Sequence, residues 1–195
     1  MPILMPHPPS SADAAPPSPP GRLDSLDRDL SRRAAILWRH PRWFTLPLGA
    51  LSLTANYGIL WYGISLIPLL TGQPRPLAKA LFVAVPVTAV EATGFAIKHW
   101  VARPRPPVAD PTQPRQIPLP LSKSFPSSHA SMAMVGVFTI GALYPSAFPA
   151  LVLLALILCF SRVYLGVHYL GDVLGGVVYG LIWGAVWILF VPAPH

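Results

Sequence analysis

Charge is what this chain has least of. Asp, Glu, Lys and Arg make up 11% of its 195 residues, less than half the roughly 25% of a soluble globular domain, and only seven side chains are acidic. So few charges cannot wet a surface on all sides. Cysteine occurs once, at Cys159, which excludes an internal disulfide framework and a cysteine-ligated zinc site. It sits in an apolar run and reads as inert packing. The first residues lack the basic segment and continuous apolar stretch of a signal peptide, and no internal repeat stands out. What the chain does have is apolar bulk, 53% of residues, with a mean hydropathy of +0.52. The remaining charge is basic, 14 Lys and Arg against seven acids. These cations lie between long apolar stretches, which suits lipid head groups or phosphates and argues against a nucleic-acid face. The composition is that of an integral membrane protein.

The chain divides into three parts. Residues 1–21 hold eight of the 26 prolines, too little apolar surface to offset ordering, and read as a disordered tail. Residues 22–42 read as an amphipathic interfacial helix: Leu23, Leu26, Leu30, Ala34 and Leu37 recur at spacings of three and four. Aspartates come early and arginines late, as the helix dipole favours. Residues 43–191 form the membrane domain. Trp43 to Leu70 is 28 residues without a charge, enough for one tilted crossing and short for two. Apolar blocks follow at 80–97, 130–144, 147–160 and 173–191. The expected fold is an all-α integral membrane bundle of about five to six transmembrane helices.

Charges at membrane depth are costly and mark functional candidates. Three polar clusters stand at span ends: Lys98 to Pro106, Ser124 to His129, and Ser161 to Asp172. Counting crossings puts all three on one membrane face. They bring together Lys98, Arg105 and Arg162, cations that call for an anion, and phosphate suits the arginine fork. His168 and Asp172 are four residues apart, the spacing of one helix face. A carboxylate on one ring nitrogen fixes the tautomer and leaves the other as a nucleophile. His129 is left as general acid for a leaving oxygen. Ser127 and Ser128 open a helix whose hydroxyls and N–H groups suit phosphate oxygens. Glu91 lies seven residues before Lys98 and is read as a partner for a buried polar group ahead of a lining for a substrate path. Arg103 is read as a charge outside the core set, and His40 and His99 as interfacial.

K-x6-R-P at 98–106, P-S-x-H at 126–129 and S-R-x5-H-x3-D at 161–172 occur in this order. Together they resemble the signature of the type 2 phosphatidic acid phosphatase superfamily, which includes membrane lipid phosphatases, undecaprenyl-diphosphate phosphatases and soluble vanadium haloperoxidases. The resemblance implies phosphate binding by Lys98, Arg105 and Arg162 with Ser127 and the backbone at Ser128. It implies a phosphohistidine at His168, oriented by Asp172, with His129 protonating the leaving group. No metal and no cofactor are implied. One departure is visible: the glycine usual before the second-motif histidine is Ser128 here.

The expected activity is removal of a terminal phosphate from a lipid-linked substrate: a polyprenyl diphosphate, phosphatidic acid, phosphatidylglycerophosphate or a polyprenyl sugar phosphate. Alternatives are a vanadate-dependent haloperoxidase and a non-catalytic lipid-phosphate binding or transport protein. The expected partners are that substrate and membrane lipids, with no nucleic acid; the oligomeric state stays open. The expected location is a bacterial cytoplasmic membrane. With one crossing at 43–70, the catalytic face carries Arg22, Arg28, Arg32, Arg33, Arg39, Arg42, Arg103, Arg115 and Lys123, against Arg75 and Lys79 on the other. That distribution makes the catalytic face cytoplasmic, whereas the resemblance implies an outer-face site in many bacterial relatives. A hairpin at 43–70 would remove the conflict.

Overall fold

The computed structural model describes residues 21–38 and 40–194. The predicted disordered tail therefore lies outside the described residues, Gly21 apart. Among the described residues there are helices and no strands. The order is α1 (Arg22–Leu37), α2 (Arg42–Thr54), α3 (Ile59–Ser65), α4 (Ile67–Leu70), α5 (Pro76–Val101), α6 (Pro106–Ala109), α7 (Ser128–Leu143), α8 (Phe148–Tyr164) and α9 (Leu170–Phe190). The chain is a multi-pass membrane protein. Pro76–Ala109, Pro145–Tyr164 and Leu170–Phe190 are each long and apolar enough to cross a bilayer. Arg42–Thr54 and Asn56–Leu70 pass the same test together, as a pair bent by 56°.

The bend has a local cause. Tyr57 and Gly58 both take positive φ, 54° and 79°, a conformation glycine adopts without the Cβ penalty. The broken segment still runs from one end of the bundle to the other. Just before it, Nε2 of His40 lies 3.0 Å from the Tyr164 carbonyl at the end of α8. Just after it, Gln73 accepts a 2.7 Å hydrogen bond from Tyr144, beyond the end of α7. There is no hairpin, and the amino-terminal helix shares the end of the bundle where α8 finishes and α9 begins.

The 16-residue α7 is the central element, with eleven of its residues buried. It is apolar all round, as a helix surrounded by helices must be. Trp61 of α3 is fully buried against it, its ring occupying the space a side chain at Gly136 would need. On the other flank, Gly176, Gly180 and Gly184 of α9 recur every four residues and face α7. A Cβ at Gly176 would come within 2.5 Å of the Ser127 carbonyl, and one at Gly184 within 2.6 Å of the Phe138 ring. Small residues let helix backbones close up where lipid offers no hydrophobic drive. The closeness matters because α7 carries His129 at its start and α9 carries Asp172 at its own.

The helix predicted over 22–42 ends at Leu37, and Arg42 opens α2. Leu23, Leu26, Leu30 and Leu37 are all exposed, 51–83%, while Ser31 and Ala35 are buried against the bundle.

Candidate active site

The site is built at the end of the bundle shared by α1, α5, α7, α8 and α9. Helix α5 ends as Ala102 turns left-handed and its N–H closes on the Lys98 carbonyl. That leaves the Lys98 side chain pointing across to the start of α7, where Nζ donates to Ser128 Oγ at 2.8 Å and to the Pro126 carbonyl. The chain then runs through Arg103 and Arg105 into the loop 110–125. This loop folds over the turn after α8, with the Gln116 N–H on the Leu165 carbonyl at 3.0 Å. Gly166 sits in that turn at φ 72°, and a Cβ there would collide with the Pro114 carbonyl.

The loop fixes Arg105. Its Nε donates to the Ser122 carbonyl at 2.8 Å and Nη2 to Ser122 Oγ at 3.1 Å. Nη1 donates to the Val167 carbonyl at 2.9 Å and meets Nε2 of His168, also at 2.9 Å. A guanidinium only donates, so Nε2 of His168 accepts and carries no proton. The ring proton therefore sits on Nδ1, which stands 3.4 Å from Oδ2 of Asp172. That distance is longer than a well-formed hydrogen bond, as is common before a substrate tightens a site. Burial, reinforced by Arg105, Arg162 and Lys98, holds His168 well below the usual imidazole range. The ring is neutral, and its Nε2 lone pair is held by Arg105.

The spacing of His168 and Asp172 predicts one helical face. Their meeting has another basis: His168 lies in the turn before α9, and Asp172 lies in that helix's first turn. Oδ2 of Asp172 accepts from the Tyr169 N–H at 2.9 Å, so the carboxylate caps the helix that carries it. The Ser127 N–H donates to the Asp172 carbonyl at 3.0 Å, joining α7 to α9.

Opposite His168, Nε2 of His129 lies 2.8 Å from the Ser52 carbonyl on α2. A carbonyl only accepts, so here Nε2 carries the proton. Ser52 Oγ also accepts from Nη1 of Arg162, and Nε of Arg162 is buried without a partner. Ser52 thus tethers both groups, and nothing in its own sequence neighbourhood marks it. Ser122 and Ser124 act likewise; Ser124 accepts no motif role yet donates to the Arg103 and Pro104 carbonyls at 3.1 and 3.2 Å.

Lys98, Arg105 and Arg162 are 2%, 4% and 1% exposed. None of them forms an ion pair with a carboxylate among the described residues. Arg103 is different: it bridges Asp24, Asp27 and Asp172 at 2.6, 2.8 and 2.7 Å. Three buried cations without counter-charges carry a large desolvation cost, which a bound anion relieves.

A cavity of about 580 Å³ opens beside them. His168, His129, Arg105, Arg162 and Ser128 line it. Lys98 and Asp172 stand behind that wall, each one side chain removed. Ser127 does not reach it: its Oγ is buried without a partner. The rest of the wall is mainly apolar, with Leu53, Tyr57, Phe95 and Leu121 among its residues. Glu91 and His99 also line it. Oε2 of Glu91 is buried without a hydrogen-bond partner, and the carboxylate lies within electrostatic reach of Lys98. His99, expected at the interface, faces the cavity and bonds back to the Phe95 carbonyl at 2.9 Å. A hydrophobic cleft with a few convergent charges suits a ligand that is part anion and part lipid.

Known structures share this architecture. The first transmembrane PAP2-type phosphatidylglycerolphosphate phosphatase, from Bacillus subtilis, aligns with a TM-score of 0.69 at 23% identity, covering 86% of this chain and 85% of its own. Aquifex aeolicus LpxE aligns at 0.71 and 19%, covering 85% and 96%. A bacterial vanadium-dependent iodoperoxidase aligns at 0.74 and 13%, covering 92% of this chain and 53% of its own. No curated protein matches by sequence. The family profile described as PAP2 superfamily matches residues 77–194, which takes in all three motifs, and the chain belongs to that superfamily.

Proposed function

We propose that the protein is a membrane-embedded phosphatase that removes the terminal phosphate of a lipid-linked substrate through a phosphohistidine at His168. The observation that carries this reading is the set of three buried cations without carboxylate partners, two of them lining a cavity that also holds two histidines and the third, Lys98, one side chain behind it. The phosphate sits among Lys98, Arg105 and Arg162, near the Ser127–Ser128 helix start, where oxygens also meet free N–H groups. Its oxygens take over the Arg105 N–H that rests on His168. Nε2 of His168 then attacks phosphorus in line, Asp172 accepts the Nδ1 hydrogen and steadies the imidazolium, and the cations hold charge on the equatorial oxygens. His129, taking up a second proton as the imidazolium when the anion is bound, passes its Nε2 proton to the leaving oxygen and is left neutral. Water next cleaves the phosphorus–nitrogen bond, with His129 as base. Fixed cations supply the charge stabilisation, so the reaction needs no metal.

The substrate is one of the four lipid classes named above, with its chains along the apolar wall between α2 and α5. The membrane is the bacterial cytoplasmic membrane, and the basic catalytic end faces the cytoplasm. Phosphate release by detergent-purified protein, measured over the four lipid classes with chelator present and His168→Ala alongside, tests the reading. Chelator-resistant release lost in the variant is expected. Lipid binding retained without any release would leave a binding or transport protein.

A second reading rests on the likeness to the iodoperoxidase: vanadate held on His168 in the same anion pocket. The chain spans about half that enzyme's length. Peroxide-dependent iodide oxidation with added vanadate tests it.

A further inference from the structure

Asp172 must aim Oδ2 at Nδ1 of His168, yet a carboxylate's terminal torsion is broad and is set only by what holds its oxygens. One hold is the Tyr169 N–H on Oδ2. The strongest on the other oxygen is Nη1 of Arg103, 2.7 Å from Oδ1, which the Ser124 hydroxyl also approaches at 3.5 Å. Arg103 is in turn fixed from α1, an element outside the family-matched segment. Its Nη2 donates to Oδ1 of Asp24 at 2.6 Å and to Oδ2 of Asp27 at 2.8 Å.

Asp27 makes a second contact of a different kind. Its Oδ1 accepts from the Gly171 N–H at 2.8 Å, and four residues on, Ser31 Oγ accepts from the Leu170 N–H at 2.9 Å. These are the first two N–H groups of α9, orphan donors that any helix start must satisfy. The seat is specific to position 171: a Cβ there would come within 2.5 Å of the Asp27 carboxylate. Asp24 is shared with Arg28 at 2.8 Å. Two arginines thus face three carboxylates, and this partly exposed network keeps one net negative charge beside the cationic site.

We propose that Asp27, assisted by Asp24, is a positioning residue for catalysis. It holds Arg103 against Asp172 and the first turn of α9 against α1, and so sets the carboxylate that orients His168. The inference rests on the phosphatase reading above.

Phosphate release from phosphatidic acid in detergent micelles tests it on the full chain. Asp27→Asn lowers kcat about tenfold, the scale seen when an outer partner of an active-site ligand is lost, and leaves KM within about twofold. Asp24→Asn acts in the same direction and less, because its carboxylate is shared. Arg103→Ala lowers kcat further, and adding Asp27→Asn to it costs nothing more, because asparagine keeps an oxygen for the Gly171 N–H and gives up only the hold on Arg103. Arg32→Ala, on the exposed side of α1, leaves kcat unchanged. Full kcat in a folded Asp27→Asn protein overturns the proposal. So do losses that multiply in the double variant, which mark a merely structural helix. His168→Ala separates the two levels: if it stays active, the phosphatase reading itself falls; if it is dead while Asp27→Asn is unimpaired, only the positioning role falls.

Discussion

Arg105 donates from Nη1 to Nε2 of His168 across 2.9 Å, and a guanidinium has no lone pair to offer in return. The contact defines the tautomer, and the tautomer makes Asp172 indispensable as an acceptor for Nδ1. Asp172→Asn presents an amide that can donate to Nδ1 and so favours the ring with its proton on Nε2. We expect kcat for lipid phosphate release to fall on the order of 10⁴-fold, with the protein still folded. A loss below tenfold would show that the carboxylate is not the orienting group.

The acid limb of activity follows from the same ring. In the proposed reaction attack needs neutral His168, and its protonation in the folded protein is displaced below the usual imidazole range by burial and then by Arg105, Arg162 and Lys98. The acid limb of kcat/KM therefore falls at a pH lower than the roughly 6.5 of a free imidazole. Stability has the same sign. A histidine with a depressed folded-state pKa contributes stability present above its unfolded-state pKa and lost as pH falls below it. Thermal unfolding in detergent between pH 7.5 and 5 should show a declining midpoint, flattened in His168→Ala.

Ser128→Gly puts the usual family residue before His129 and removes the Oγ that accepts from Lys98 at 2.8 Å. One Nζ hydrogen then becomes free for the ligand. Competitive inhibition by inorganic phosphate should tighten about fivefold, roughly 1 kcal/mol, the net worth of an ordinary hydrogen bond. Unchanged inhibition would mean that Lys98 already reaches the anion.

Helices α7 and α9 meet through glycine. Gly180→Leu drives a side chain into the Ser131 backbone and Met134. Overpacking of this kind costs about 1–3 kcal/mol, and here it also parts the Ser127 N–H from the Asp172 carbonyl. Thermal unfolding and kcat should fall together.

Arg115 is exposed on the loop over the catalytic end, and the lone native cysteine is buried. Arg115→Cys in intact cells should resist a membrane-impermeant thiol reagent and label after permeabilisation. Labelling of intact cells would place the catalytic end outside.

The parts legible in the sequence are those with short-range signatures. Apolar runs located the long helices, and the three motifs contain every residue that supplies Lys98, Arg105, Arg162, His129, His168 and Asp172 to one end of the bundle. The contacts that hold them were illegible for a physical reason. Ser52 acts on His129 and Arg162 through its carbonyl and hydroxyl from 77 and 110 residues away, and a serine in an apolar run carries no mark of that. The amphipathic pattern of α1 was legible, but which face docks was not. In a soluble protein the leucines would turn inward; beside lipid the outer medium accepts them, and the aspartates turn in to meet Arg103. Glu91 was legible as a charge on the Lys98 face with two readings open, buried partner or cavity lining, whereas the place of His99 in the wall beside the bend at Tyr57 and Gly58 depends on backbone torsions that the sequence leaves open.

The position of Ser52 sets a lower bound on the smallest working piece of this protein. A chain begun at residue 77 would retain every motif and the whole family-matched segment. It would also leave the Nε2–H of His129 without its carbonyl, Arg162 without its hydroxyl and Arg103 with one carboxylate in place of three. Transplanting the motif-bearing helices onto another membrane scaffold would carry the reacting groups and omit the fixtures that aim them.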